Sequence, residues 1–224
     1  MISICMPYWM RQQELDRSLA AYRKHYGDGI EISICDDGSP VPVVAPGCIV
    51  TTLPRKNVGL NPCVSMNAAV RASIGDVIVL TNPEVEHREP VLDEMLALLE
   101  TENDYVVAPC IDADGTVLAG RGVDYSAAGR LPVPQGAHFH FAALLRRDLF
   151  ERVGGFDPSF RQGRGCEDND WLWSLHAAGA RFRLSETPVY HYRTPHVYEV
   201  SGESNRDRLQ RKWGHLWTRS ASSA

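Results

Sequence analysis

Through the first half of the chain, short apolar runs alternate with stretches whose apolar positions recur at helical spacing. Ile2–Met6, Glu31–Cys35, Cys48–Thr52, Asp76–Thr81 and Tyr105–Pro109 have the length and content of strands. Gln13–Tyr26, Pro62–Ala72 and Pro90–Glu100 read as helices, the second with Asn61 as its cap and Pro62 in its first turn. Strands separated by helices imply parallel crossovers. The pattern therefore predicts an α/β fold with a mostly parallel central sheet and helices on both faces.

The second half changes character. Residues 111–134 are rich in Gly, Asp and Ala, with Asp112-Ala113-Asp114-Gly115 as a hairpin turn. His138–Leu145 alternates weakly and reads as a strand, Arg147–Val153 as a short helix stopped by Gly154-Gly155, and Glu167–Ala178 as a helix closed by Gly179. Arg181–Leu184 and Val189–Tyr192 are short strands, and Arg206–Trp217 is a terminal helix. No repeat or linker interrupts the pattern. One domain, 1–224, is expected, with halves at about 1–110 and about 111–224, the second a smaller mixed region.

In open parallel sheets, ligands bind beyond the carboxyl ends of the strands. The unusual polar residues cluster there. Pro7-Tyr8 follows the first strand, Asp36-Asp37 the second, Asn57 and Gly59 the third, and Asn82, Glu84, Glu86 and His87 the fourth. Turn chemistry alone accounts for Asp36-Asp37-Gly38-Ser39. A strand that exits on Asn82-Pro83-Glu84 offers hard oxygen donors, and Mg²⁺ or Mn²⁺ is commonly held by one or two carboxylates with phosphate oxygens and water. Glu86 falls on the same side as Glu84 if the chain stays extended.

Glu167, Asp168 and Asp170 open the later helix. Capping and the helix dipole account for one or two acids there; three in four positions exceed that need. A carboxylate beside a ligand hydroxyl is a general base, and the dipole is expected to hold its pKa low. His191 offers an imidazole to a metal and Arg193 a guanidinium to phosphate. His138 and His140 share a face if their run is a strand. Trp171, Trp173, Phe139 and Tyr192 could form a sugar platform, although aromatics at this density also build cores.

Composition narrows the function classes. The chain has 224 residues, 44% hydrophobic and 23% charged, with a net charge of −5. An acidic balance argues against a nucleic-acid partner, which usually meets a basic face; Arg206, Arg208, Arg211 and Lys212 form a local basic cluster. No apolar stretch is long enough to span a bilayer, and the first residues do not form a signal peptide. The six cysteines form no C-x-x-C pair and read as reduced, buried thiols of a cytoplasmic protein.

Several segments together resemble the inverting family 2 glycosyltransferases with a GT-A fold: "SICMPYWMRQQELDRSL", "ISICDDGSP", "NVGLNPCVSMNAAVRASIGDVIVLTNPEVE", "RRDLFERVGGFDPSFRQGRGCEDNDWLWSLHAAGARFRL" and "VYHYRTP". The likeness covers roughly residues 2 to 195. It implies that Pro7, Tyr8 and Glu14 border a base and ribose pocket. Asp37 would contact a uracil or thymine ring, with Asp36 supporting it. Asn57, Gly59 and Asn67 would lie beside the nucleotide, with Met66 standing where the family usually carries Arg. Asn82-Pro83-Glu84 takes the place of the metal motif, similar to the N-P-D variant of rhamnosyltransferase-like members with Glu for Asp. Glu84 and His191 would hold a divalent cation (Mn²⁺ or Mg²⁺), Arg193 would face the diphosphate, and Asp168 would be the catalytic base. The acceptor side would draw on Glu167, Trp171, His138 and His140.

The resemblance thus implies a hexosyl- or deoxyhexosyltransferase that uses a UDP- or dTDP-sugar and inverts the anomeric centre on an acceptor hydroxyl, a glycan being the expected acceptor. Lipid-linked acceptors would be met by peripheral membrane contact. Two rivals share the residues: a non-catalytic nucleotide-sugar-binding module, and a retaining transferase. A nucleotidyltransferase would carry a Gly-rich basic loop after the first strand, where this chain has Pro7-Tyr8-Trp9.

Overall fold

The computed structural model describes residues 1–54, 61–112, 114–119, 141–163, 165–192 and 205–220. Its strands are β1 (Ile2–Tyr8), β2 (Ile30–Asp36), β3 (Ile49–Thr52), β4 (Val77–Thr81), β5 (Val85–Glu86), β6 (Asp104–Val107), β7 (Cys110–Asp112), β8 (Val117–Ala119), β9 (Ala142–Arg146), β10 (Arg181–Leu184) and β11 (Val189–His191). Its helices are α1 (Gln12–Tyr26), α2 (Cys63–Ala72), α3 (Val91–Ala97), α4 (Arg147–Val153), α5 (Glu167–Ala177) and α6 (Asn205–Ser220), with a 3₁₀ turn at Pro158–Arg161.

Seven strands form the main sheet in the order β10-β6-β9-β4-β1-β2-β3. Among the described residues, only β9 runs against its neighbours β4 and β6. A second sheet, β5-β11-β7-β8, sits where β4 and β6 leave the first. The α/β expectation holds. The antiparallel insertion of β9 was not legible in the sequence, because strand direction depends on where the connecting chain returns. All five residues of β9 are buried or nearly so, instead of alternating. Its first described residue is Ala142; His138 and His140 lie outside the described residues.

The period-two alternation explains why helices cover both faces. Ile4, Met6, Ile34, Val79, Val106 and Leu144 point to one face and pack with Leu15, Leu19 and Tyr22 of α1 and Val91 and Met95 of α3. Cys5, Cys35, Ile78, Leu80, Tyr105, Val107, Ala143 and Leu145 point to the other, against Met66 and Val70 of α2, Leu149 of α4 and Trp171 and Leu175 of α5. Strands buried on both faces read as continuous apolar runs. Each fully buried aliphatic side chain contributes about 1.5–3 kcal/mol of hydrophobic stabilisation.

The "GGFD" stretch is explained by packing. Gly154 closes α4 in the left-handed conformation. Gly155 has φ +72, and a Cβ there would press to 2.7 Å from Asn67 Oδ1. Phe156 drops into the core and stacks on Trp171 with ring centroids 4.7 Å apart. Asp157 Oδ1 then caps the 3₁₀ turn by accepting from Ser159 N. All six cysteines are unpaired. Burial pushes the Cys5, Cys63 and Cys110 thiols up to about 12, which keeps them protonated and unreactive.

Candidate functional site

β1, β2 and β4 are parallel neighbours, so their carboxyl ends share one edge. Pro7 and Tyr8 pair with Cys35 and Asp36 in register, and Asp37 N donates to Tyr8 O at 2.9 Å. Asp36 is buried, and both its oxygens accept loop amides: Ser39 N at 2.8 Å and Val43 N at 3.1 Å. Its carboxylate therefore shapes the loop that presents Asp37 and is not turned toward a ligand. Asp37 has Ser65 Oγ 3.5 Å from Oδ2 and Arg161 Nη2 3.9 Å from Oδ1. Burial raises its pKa, and Arg161 works in the opposite direction. Glu14 is half-buried in the first turn of α1.

The exit from β4 is a turn: Val85 N donates to Asn82 O at 3.1 Å. The chain is not extended there, so alternation does not set the direction of Glu84 and Glu86, and the two acids have different partners. Glu84 Oε1 accepts from Arg11 Nε at 3.1 Å, across the ends of β4 and β1. Glu86 Oε2 accepts from Tyr192 O–H at 2.7 Å and from Arg88 Nε at 3.2 Å. Arg17 lies 3.9 Å over the Tyr192 ring, and Arg88 lies 3.9 Å over Tyr190. Tyr192 is thus spent on the protein itself and offers no sugar platform.

β11 brings His191 beside this turn. His191 pairs with Val85 on β5 and with Asp112 on β7, and Tyr192 N donates to Glu84 O at 3.0 Å. The imidazole packs edge-on against Phe141 at 5.3 Å. Glu84 and His191 therefore stand on adjoining chain segments, one a carboxylate and the other an imidazole. Among the described residues, no group of three His, Cys, Asp or Glu could hold a metal ion. A carboxylate and an imidazole are donor types that a divalent cation takes, and two such groups would leave its other positions to diphosphate oxygens and water.

α5 begins after Cys166, which is itself in the left-handed conformation. Its three acids have divided roles. Glu167 Oε2 accepts from Asn61 Nδ2, and Asn61 Oδ1 also accepts from Cys63 N at the head of α2. Asp170 accepts from Lys212 Nζ at 2.8 Å and from Trp213 Nε1 at 2.7 Å, clamping α6. Asp168 lies between them in the first turn of the helix. Burial pushes its carboxyl up to about 6, so desolvation outweighs the helix dipole that was expected to lower it. It still ionises below neutral pH.

These elements are stitched together along the same edge. Arg161 O accepts from Asn61 N at 2.9 Å, so the head of α2, the 3₁₀ turn and the head of α5 are tied together beside Asp37.

Other expected residues fall elsewhere. Asn67 is buried and exchanges two hydrogen bonds with Phe156, Nδ2 to O at 2.7 Å and N to Oδ1 at 2.9 Å, so its amide is committed to the fold. Trp171 is fully buried between Phe150 and Phe156 and has no face for an acceptor. Trp173 stacks on Trp213. Asn57, Gly59, Phe139, His138, His140 and Arg193 lie outside the described residues. Arg11, Arg161 and Asp112 were missed by the sequence reading. Each meets its partner across a long stretch of chain, and no spacing rule signals such pairs. Among the described residues, no helix is long and apolar enough to cross a membrane.

Residues 3–156 match the family described as "Glycosyl transferase family 2". No curated protein matches the chain. Among solved structures, GalNAc-T7 with UDP, GalNAc and Mn²⁺ superposes with a TM-score of 0.73 at 15% identity, over 97% of this chain and 50% of that one. A mannosyltransferase from Pyrobaculum calidifontis in complex with GDP-Man and Mn²⁺ gives 0.62 at 16% identity, over 88% and 58%. S. aureus TarS 1-349 with UDP gives 0.63 at 13% identity, over 87% and 61%. These likenesses show a shared GT-A fold. The chain spans between half and three-fifths of the length of these structures.

Proposed function

Because the chain belongs to glycosyl transferase family 2, we propose that it transfers a sugar from a nucleoside-diphosphate donor to an acceptor hydroxyl with inversion, Asp168 acting as the general base. The observation that carries this is the raised carboxyl of Asp168 in the first turn of α5. Glu167 and Asp170 are anchored by Asn61 and by Lys212 with Trp213, and Asp168 carries a carboxyl raised to about 6. A base with that affinity is ionised at neutral pH yet holds a proton better than a solvated carboxylate, which suits deprotonation of an attacking hydroxyl.

Asp37 and Tyr8 take the nucleoside end, on a loop shaped by Asp36, in keeping with a UDP- or dTDP-sugar. Glu84 and His191 would hold a divalent cation, which neutralises charge on the leaving diphosphate. Arg193 is assigned to the same diphosphate. Asp168 accepts the hydroxyl proton as the acceptor oxygen bonds to the anomeric carbon; the bond to the diphosphate breaks on the opposite face, and the electron pair leaves with that group. The donor sugar is assigned as a hexose or deoxyhexose, in line with the rhamnosyltransferase-like form of Asn82-Pro83-Glu84.

The test is product analysis. Incubation with a panel of UDP- and dTDP-sugars, Mn²⁺ and glycan acceptors should give product of inverted anomeric configuration by NMR, and Asp168→Asn should give none. Retained configuration would refute the mechanism. A second reading, a non-catalytic nucleotide-sugar-binding module, is favoured by the Arg11–Glu84 pair, which satisfies the motif acid without a cation. Donor binding with neither transfer nor hydrolysis across the panel would establish it.

A further inference from the structure

Two polar atoms at the carboxyl edge of the main sheet lack hydrogen-bond partners among the described residues, and they belong to neighbouring side chains. They are Asp37 Oδ1 and Arg161 Nε, both buried. Arg161 Nη2 stands 3.9 Å from Asp37 Oδ1, close enough for Coulomb attraction and too far for a hydrogen bond. The Asp37 side chain is only 9% exposed. Leaving such a group unpaired costs about 1–3 kcal/mol, and folded proteins seldom do so without a reason.

We propose that Arg161 is a base-reading residue: with Asp37 it holds the imide edge of uracil or thymine, Asp37 accepting the ring N–H and Arg161 donating to the carbonyl oxygen beside it. This rests on the nucleotide-sugar reading above and extends it to a residue from the other half of the chain.

The geometry favours this edge. An imide presents a donor and an acceptor on adjacent atoms whose hydrogen bonds run side by side, so its partners sit about 3–4 Å apart. Arg161 Nη2 stands 3.9 Å from Asp37 Oδ1, which gives that spacing and the matching polarity. Arg161 is also held in place. Its carbonyl accepts from Asn61 N at 2.9 Å, and its turn is capped by Asp157, which Lys212 grips at 2.9 Å.

Cytosine and adenine present a bare ring nitrogen and an amino group at these two places. Acceptor would then face acceptor, and donor would face donor. Guanine, like uracil, presents a ring N–H beside a carbonyl, with an amino donor on its other side, so this pair of groups separates uracil and thymine from cytosine and adenine and does not by itself reject guanine. The arrangement therefore selects one donor flanked by a carbonyl.

The test is calorimetric titration of the full chain, in Mn²⁺, with UDP, dTDP, CDP and GDP. The wild type should bind UDP and dTDP at least about tenfold tighter than CDP, and more tightly than GDP. Arg161→Ala should shrink the UDP-over-CDP ratio to within about threefold, Arg161→Lys should keep part of it, and Asp37→Asn should move the preference toward CDP. A merely structural Arg161 would weaken all four ligands alike and keep the ratio, which overturns the proposal. So does a wild type that prefers GDP or CDP. If Arg161→Ala does not fold by circular dichroism, the ratio in Arg161→Lys decides. Failure of the wild type to bind any of the four removes the nucleotide-sugar reading itself, whereas normal binding with an unchanged ratio in the variants removes only Arg161.

Discussion

Asn67 and Phe156, 89 positions apart, exchange two hydrogen bonds in the core, and the backbone of Phe156 depends on both. Substituting Asn67→Ala orphans a buried N–H and a buried C=O at once. The expected loss is about 2–4 kcal/mol in urea unfolding. Nucleotide affinity of the folded fraction should change less than about threefold. A large affinity loss without destabilisation would return Asn67 to the nucleotide site.

Asp168 should govern the pH dependence of transfer. The base works deprotonated, so kcat/KM should rise with pH, reach half its plateau near about 6 and stay flat above. At pH 5 the rate should be roughly tenfold below the plateau. A profile flat from pH 4.5 to 8 would exclude Asp168 as the base.

The same shift predicts a stability effect of opposite sign. The folded carboxyl holds its proton more tightly than the unfolded one, so its favourable contribution is complete below the ordinary value of 3.8 and is lost as pH rises through about 6. Ionised Asp168 therefore costs the native state stability at neutral pH. Asp168→Asn should melt higher than the wild type at pH 8, with the difference vanishing by pH 4, while transfer is abolished. An equal or lower melting point at pH 8 would contradict the burial argument.

Asp170 should behave differently from its neighbour. It is buried and accepts from both Lys212 and Trp213, so Asp170→Ala should destabilise the protein by about 1–3 kcal/mol. The folded fraction should transfer sugar at close to the wild-type rate. Loss of kcat at full folding would make Asp170 part of the chemistry.

Cation dependence should appear only with nucleotide present. In the free chain Arg11 balances Glu84, so chelator alone should leave the melting temperature unchanged. Mn²⁺ should raise the melting temperature of the UDP complex beyond UDP alone, and Glu84→Ala should remove that increment, with at least about tenfold weaker binding. A wild type whose UDP complex ignores Mn²⁺ would remove the metal from the account.

Much of the fold was legible because one physical signal sets it. Runs such as Val77–Thr81 are buried on both faces, and apolar periodicity shows this directly. Gln12–Tyr26 and Glu167–Ala177 start and stop within a residue or two of where sequence pattern places them. The candidate site was legible as residue types, less so as roles. Asn67 and Trp171 sit inside suggestive motifs, but their side chains are consumed by the core, and burial partners do not follow from local sequence. Tyr192 and Asp36 were absorbed in the same way by Arg88, Glu86 and loop amides.

The sequence alone determined the alternation of strands and helices and the placement of polar residues after strands, because local hydrophobic period and turn chemistry act within a few residues. Tertiary structure decided the reversed direction of β9, the pairing of Arg11 with Glu84 and of Arg161 with Asp37, and the rise of the Asp168 carboxyl. Each of these depends on distance and water exclusion between segments far apart in the chain, quantities that exist only once the chain has folded.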